Sequence, residues 1–333
     1  MAKPGILRSR GIMIIIPERD IAGLVSAADC FMAVEQTFAS MARKSARNFP
    51  VMREAIGHAD ALYGFKSGFD RESLALGLKS GGYWPHNAQK GLTNHQSTIF
   101  LFDADTGRCR AIVGGNLLTA LRTAAASAVS IKHLARPDSK VLGIVGAGHQ
   151  SAFQLRAALD QRPFEKVLGW NKTPEKLERL ASVAREKGLP FQPVSLEQLC
   201  GEADVVITIT SAFGPVLAEG MIRPGTHLAC MGTDTRGKQE IAAEIVAAST
   251  VFTDEVEQST SIGEAQHAFR LGSIDTAAIV PIGDVIAGGH LGRRDAQEIT
   301  LFDGTGVGLQ DLAVASAAVE LALARGTAIE VDA

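Results

Sequence analysis

The segment Gly146-Ala147-Gly148-His149-Gln150-Ser151 carries residue types and spacing that let a backbone hold a pyrophosphate. It follows the continuous apolar run Val141–Val145 and opens a helix expected over about 149–160. Gly146 permits a tight turn and Gly148 lets the chain approach the phosphates. Ser151 is small enough for close helix–strand packing. Unsatisfied N–H groups and the dipole at the helix start favour an anion. These residues point to a nicotinamide dinucleotide, with His149 exposed beside it rather than catalytic. The next strand ends at Trp170-Asn171-Lys172-Thr173. An acid there would take the ribose 2′-hydroxyl and select NAD. Asn171 can bond either ribose form and Lys172 would attract a 2′-phosphate. Taken alone, this pair leans towards NADP(H) or dual use.

The elements around this loop alternate. After Val141–Val145 come a helix, a strand at Lys166–Trp170, and a helix opening at Thr173-Pro174. Thr173 is expected as its N-cap and Pro174 at its first position. Strands are expected at 204–210, 226–231 and 250–253. This alternation predicts a doubly wound parallel sheet of the Rossmann kind. The chain before it reads differently. A short strand at 12–16 ends at Pro17, behind a loose polar extension over 1–10. Phe31, Val34, Phe38 and Met41 mark an amphipathic helix over about 28–44. Strand-like runs at 62–65, 74–79 and 97–102 lead to a hairpin turn at Asp103-Ala104-Asp105-Thr106-Gly107. Helices are expected at 117–134 and 308–325.

Composition narrows the class. The 333 residues are 46 % hydrophobic and 21 % charged with net charge −3, ordinary for a globular chain with a sizeable core. No basic block appears, which argues against nucleic acid as a partner. No run reaches the ~20 apolar residues of a membrane span. The four cysteines, Cys30, Cys109, Cys200 and Cys230, are scattered without a C-x-x-C pair. Disulfides or a metal site are therefore not expected, and a reducing cytoplasm fits best.

Read with further segments, the loop resembles the ornithine cyclodeaminase/mu-crystallin family. The matching segments are Asn94-His95-Gln96-Ser97-Thr98, Leu121-Arg122-Thr123-Ala124-Ala125, Met231-Gly232-Thr233-Asp234 with Gly237-Lys238, and Gly304-Thr305-Gly306 followed by Asp311. The resemblance implies a homodimer in which the Rossmann unit (119–312) is inserted in a smaller α+β substrate-binding and dimerisation domain (1–118 plus 313–333), with the active site between them. It implies chemistry that starts with hydride exchange between nicotinamide and the α-carbon of an amino or imino acid. By this resemblance Arg53 and Arg122 bind the substrate carboxylate, Lys79 is the active-site lysine and Asp234 the catalytic acid. His95 would bond a carboxylate or the cofactor, with a packed structural histidine as the alternative. Thr123, Thr210, Gly232 and Lys238 join the cofactor side, Lys238 reading equally well as a solvated lysine.

One position departs from the family. Members acting on longer or apolar substrates commonly carry an apolar pair where this chain has Lys66-Ser67. A lysine there suits a second carboxylate at the far end of the substrate. Trp84 would wall the pocket or serve core or interface packing. The expected function is therefore NAD(P)H-dependent reduction of a small imino dicarboxylate, the four-carbon imine whose reduction gives L-aspartate. Within the family the chain looks most like members with that activity, which favours NAD(H) and leaves NADP(H) open. The competing readings are a cyclodeaminase, a cyclic ketimine reductase, an alanine dehydrogenase-like enzyme, or a non-enzymatic binding protein.

Overall fold

The computed structural model describes residues 11–332, and the loose extension expected over 1–10 lies outside them. The described chain forms two compact units. One runs to Arg122 and resumes at Val307; the other is Thr123–Gly306, inserted between. The borders read from the sequence, 118/119 and 312/313, would assign Gln310 and Asp311 to the inserted unit.

The first unit is built on a mixed eight-stranded sheet. Its strands are β1 (Ile12–Ile16), β2 (Ala46–Asn48), β3 (Met52–Ala55), β4 (Leu62–Asp70), β5 (Ala75–Tyr83), β6 (His95–Phe102), β7 (Cys109–Gly114) and the C-terminal strand Ile329–Asp332. The long strands β4 to β7 pair antiparallel in succession, and the 103–107 hairpin turn joins β6 to β7. Helix α1 (Glu18–Leu24) precedes α2 (Ala27–Ala42). A capping box starts α2: Ser26 Oγ accepts from the Asp29 N–H at 3.1 Å and Asp29 Oδ2 accepts from the Ser26 N–H at 2.9 Å. Helix α3 (Asn116–Leu134) starts on the Glu18 carboxylate, which accepts the Asn116 and Leu117 N–H groups at 2.9 and 2.8 Å. An acid held there satisfies two orphan donors and opposes the helix dipole. The C-terminal helix Gly308–Arg325 ends at Gly326, whose φ of 64° is the left-handed stop that glycine adopts without strain.

Glycines let that helix lie on the sheet. In antiparallel register Gly64, Lys66 and Gly68 of β4 face Gly81, Lys79 and Gly77 of β5. Directly paired residues point to the same face. A Cβ on Gly68 or Gly77 would come 3.0 and 2.9 Å from the Leu309 and Leu312 side chains, and one on Gly308 would come 2.6 Å from the Ser67 backbone nitrogen. Bulk at these positions would lift the helix off the lysine-bearing face.

In the inserted unit the strands are β8 (Val141–Val145), β9 (Lys166–Trp170), β10 (Phe191–Pro193), β11 (Val205–Thr208), β12 (Phe213–Leu217), β13 (His227–Cys230), β14 (Gln239–Ile241), β15 (Thr250–Thr253), β16 (Ile279–Pro281) and β17 (Thr300–Asp303). Eight form an all-parallel sheet ordered β10-β9-β8-β11-β13-β17-β15-β16. The order reverses between β8 and β11, the position where such sheets bind ligands beyond their strand ends. Helix α4 (Ser151–Leu159) follows β8. It starts later than expected, leaving Gly148, His149 and Gln150 in the turn. The expected cap at Thr173 is corrected: its side chain makes no capping hydrogen bond, a 3-10 turn fills Pro174–Leu177, and the α-helix runs Glu178–Glu186.

Candidate functional site

Within the first unit, one sheet face collects the cations singled out in the sequence. Lys66 and Lys79 are cross-strand neighbours, and Arg53 of β3 is paired with Gly64, two residues from Lys66. His95 of β6 pairs with Tyr83, on the same face as Lys79 by the two-residue alternation. Lys66 and Lys79 are only 8 % and 6 % exposed, so neither is a solvated surface lysine.

Asp311 of the C-terminal helix, fully buried, is the carboxylate that Lys79 and Arg122 meet. Lys79 Nζ donates to Asp311 Oδ1 at 2.8 Å and to Thr119 Oγ1 at 3.3 Å. Arg122 Nε donates to Asp311 Oδ1 at 3.0 Å, and one of its terminal nitrogens to Gln310 Oε1 at 3.1 Å. Both helices thus bring their groups to the lysine-bearing sheet face.

The charges act on one another. Burial, chiefly, pushes the Lys79 ammonium down to about 7. Asp311 opposes that fall, whereas Arg122 and Lys66 reinforce it. Burial, then the charges of Lys79 and Arg122, push the His95 imidazole down to about 3, so it is neutral at physiological pH. Burial alone would raise the Asp311 carboxyl, but Arg122 and Lys79 hold it below the usual carboxylate range. The result is a buried cluster of cations that shares one counter-ion, Asp311. Sequence reasoning noted Asp311 but gave it no role. The available signal was an acid inside an otherwise Ala-, Val- and Leu-rich helix, where burial demands a cationic partner.

The inserted unit carries the other group of residues. Gly146 has φ of 108°, and a Cβ there would come 2.4 Å from the Ile209 carbonyl. A Cβ on Gly148 would meet nothing within 4 Å, so open space lies beside the loop backbone. Ala147 N–H donates to Asn171 Oδ1 at 3.0 Å, and Asn171 Nδ2 donates to the Thr173 carbonyl at 2.8 Å. Asn171 therefore ties the loop to the end of β9, a structural task the sequence reading did not give it. Ser151 is buried, its hydroxyl on the Gly148 carbonyl at 2.8 Å. That carbonyl also accepts from Arg179 at 2.9 Å, a contact the sequence did not announce. His149 and Lys172 are exposed, and Gln150 and Thr123 half-buried. Partial desolvation first, then the Arg179 charge, holds the His149 imidazole below its ordinary range.

Beyond β11 and β13 lie Thr210, Gly232, Asp234 and Lys238. Lys238 Nζ donates to Asp234 Oδ1 at 2.9 Å and to the Gly232 carbonyl at 3.2 Å. Lys238 thus steadies the Asp234 turn. Gln266 Oε1 accepts the Gly237 N–H at 2.8 Å from outside it. The described residues include no cluster of three or more potential metal ligands and no helix long and apolar enough to cross a membrane.

Comparison with known proteins agrees over nearly the whole chain. The model of the ornithine cyclodeaminase/mu-crystallin family matches residues 14–326. The iminosuccinate reductase of Paracoccus denitrificans is 61 % identical over 320 residues, 96 % of this chain and 100 % of that protein. Its crystal structure in complex with NAD+ superposes with a TM-score of 0.93 at 60 % identity, covering 97 % of this chain and 100 % of that one. The Thermococcus litoralis Delta(1)-pyrroline-2-carboxylate reductase, solved with NADH and L-proline, gives 0.90 at 31 % identity, covering 96 % and 100 %. An archaeal alanine dehydrogenase dimer with bound NAD gives 0.90 at 30 % identity, covering 96 % and 99 %.

Proposed function

The chain belongs to the ornithine cyclodeaminase/mu-crystallin family, and we propose that it is an NAD(H)-dependent oxidoreductase reducing the imine of iminosuccinate to L-aspartate. The single observation that carries the substrate is Lys66, a buried lysine beside Lys79 on the anion-binding face. The Paracoccus denitrificans enzyme is an iminosuccinate reductase at 61 % identity, against 31 % for the pyrroline-carboxylate reductase structure.

Charged groups leaving water need charged partners. Arg53, Lys79 and Arg122 take the α-carboxylate, with His95 at its edge, and Lys66 takes the second carboxylate. Bound NADH supplies the hydride that reduces the imine carbon. Asp234, steadied by Lys238, keeps the imine nitrogen protonated, which makes its carbon electrophilic and leaves an amine as product. The substrate and one proton are thereby converted, with NADH, to L-aspartate and NAD+.

The inserted unit fits a dinucleotide. Space lies open at Gly148. The Ala147 and Ser151 N–H groups are engaged within the protein, which supports reading those of Gly148, His149 and Gln150 as the donors to the phosphates. Thr123, Thr210 and Gly232 complete that side. With Asn171 occupied in holding the loop, the local lean towards NADP(H) rests on exposed Lys172 alone. A homodimer in the cytoplasm belongs to the same reading. The archaeal alanine dehydrogenase dimer supports the dimer, and the mass in solution checks it.

Truncating Lys66 to Met tests the substrate assignment. Turnover of the oxaloacetate-derived imine should fall at least ~10²-fold, because the second carboxylate loses its partner. The pyruvate-derived imine should lose much less. An equal loss on both imines contradicts a role for Lys66 in recognising the second carboxylate.

A further inference from the structure

Two buried carboxyls that the proposed reaction does not use tie the loops after β11 and β13 together. Glu240, on β14, is fully buried. Its Oε1 accepts the Thr210 N–H at 2.6 Å; its Oε2 accepts the Gly232 N–H at 2.8 Å and the Thr208 hydroxyl at 2.7 Å. Glu264, 1 % exposed, lies behind it. Its Oε1 accepts the Glu240 and Ile241 N–H groups, both at 2.8 Å, and its Oε2 meets the Thr233 hydroxyl. The backbone is built around these contacts. A Cβ on Gly232 would come 2.5 Å from Glu240 Oε1 and 2.4 Å from the Thr210 carbonyl, and Gly146 packs against Ile209. The phosphate loop, residues 209–210 and residues 231–233 therefore lie against one another, and Asp234 follows directly.

Hydrogen-bond roles locate a proton. A backbone N–H only donates, and each Glu240 oxygen faces one, as does Glu264 Oε1. A proton on any of these oxygens would compete with a donor. Glu264 Oε2 meets only a hydroxyl, which can accept. Two carboxyls this close and this buried resist being ionised together. We propose that neutral Glu264, donating to Thr233 Oγ1, and ionised Glu240 form a latch that positions the dinucleotide-side loops and the Asp234 turn. The proposal rests on the dinucleotide reading above and makes both glutamates positioning residues.

Other groups face the latch. Burial first, then the Glu240 charge, raise the Glu264 carboxyl to about 8; Asp303, at the end of β17, adds to the rise, while Thr233 and the Ile241 N–H oppose it. Burial raises Asp303 itself to about 7, and Ser259 Oγ donates to it at 2.5 Å. Burial and the same acids hold the Cys230 thiol protonated. Rising pH thus places a second negative charge beside Glu240 and removes the proton that Glu264 donates to Thr233 Oγ1. The latch should loosen as pH passes about 8.

NADH binding by the full-length protein, titrated by fluorescence from pH ~6.5 to ~9.5, tests this without involving the substrate. For the wild type, Kd should rise by up to about tenfold per pH unit above pH about 8. Glu264→Gln keeps one acceptor and gains a donor towards Thr233, so it should match wild type at pH ~7 and lose the alkaline rise. Glu264→Ala should bind at least ~10-fold more weakly at pH ~7; if it does not fold, the Gln variant decides alone. A Gln variant that keeps the alkaline rise, or binds as weakly as a truncation, overturns the latch. A wild type that binds no NADH overturns the dinucleotide reading and the latch with it.

Discussion

Lys79 is buried between Asp311, which favours its charge, and Arg122 and Lys66, which oppose it, and burial brings it down to about 7. A bound carboxylate favours the ammonium form. In the proposed function, affinity for a dicarboxylate should therefore be greatest below pH 7 and fall as pH rises through about 7. The inhibition constant of succinate against the imine should climb by up to about tenfold per unit above that point. Lys79→Arg should flatten the climb, since a guanidinium stays charged. A flat wild-type profile would remove Lys79 from carboxylate binding. His95, neutral near pH 7, contributes no titration in this window. For Asp234, the expected outcome of Asp234→Asn is normal NADH binding with kcat reduced on the order of 10²–10⁴-fold. Near-normal kcat in that variant would take Asp234 out of the proton step. At this scale the sequence singled out Arg122 and Asp234 because they stand in recognisable segments, and Lys79 through the family resemblance; the structure buries Arg122 and Lys79 against Asp311. The sequence was silent on Asp311 as counter-ion and on Asn171 as a loop tie, because both depend on partners far away in sequence.

Two helices and a glycine-patterned sheet set the geometry of the first unit. Glu18 holds the start of α3, and through it Thr119 and Arg122. The C-terminal helix reaches Lys79 because Gly68, Gly77 and Gly308 leave room for it. Gly308→Val should force that helix away from β4, costing about 1–3 kcal/mol of stability by overpacking. It should also raise KM for the imine while leaving NADH affinity unchanged. An unchanged KM in a destabilised variant would show that the helix seat does not position the site. The helix over 308–325 and the parallel strands β8, β9, β11, β13 and β15 were legible from apolar runs and periodicity, whereas β10, β16 and β17 of the same sheet were not. The short elements β2, β3, β12 and β14 were not, since three to five residues carry too little pattern to separate strand from loop. β14 matters most among them, because it presents Glu240. The helix expected at Thr173 showed the opposite error: Thr-Pro is a sound start signal, but the chain spends its first turn in 3-10 form.

At the scale of the molecule, a 123–306 parallel-sheet unit is inserted into an α+β unit whose two halves come from the ends of the described chain. The insertion was legible only through family resemblance, because no local signal says that the last helix packs against strands more than two hundred residues earlier. In the proposed function the division of labour is chemical: anion recognition on one unit, dinucleotide recognition on the other. The substrate is the central claim, and one measurement addresses it most directly. NADH oxidation by the wild type should be followed with oxaloacetate plus ammonia, with pyruvate plus ammonia, and with a cyclic imino acid. The account predicts a kcat/KM for the oxaloacetate-derived imine at least ~10²-fold above the other two, as expected when a site built for two carboxylates meets a substrate with one. Preference for the pyruvate-derived or cyclic imine would contradict it.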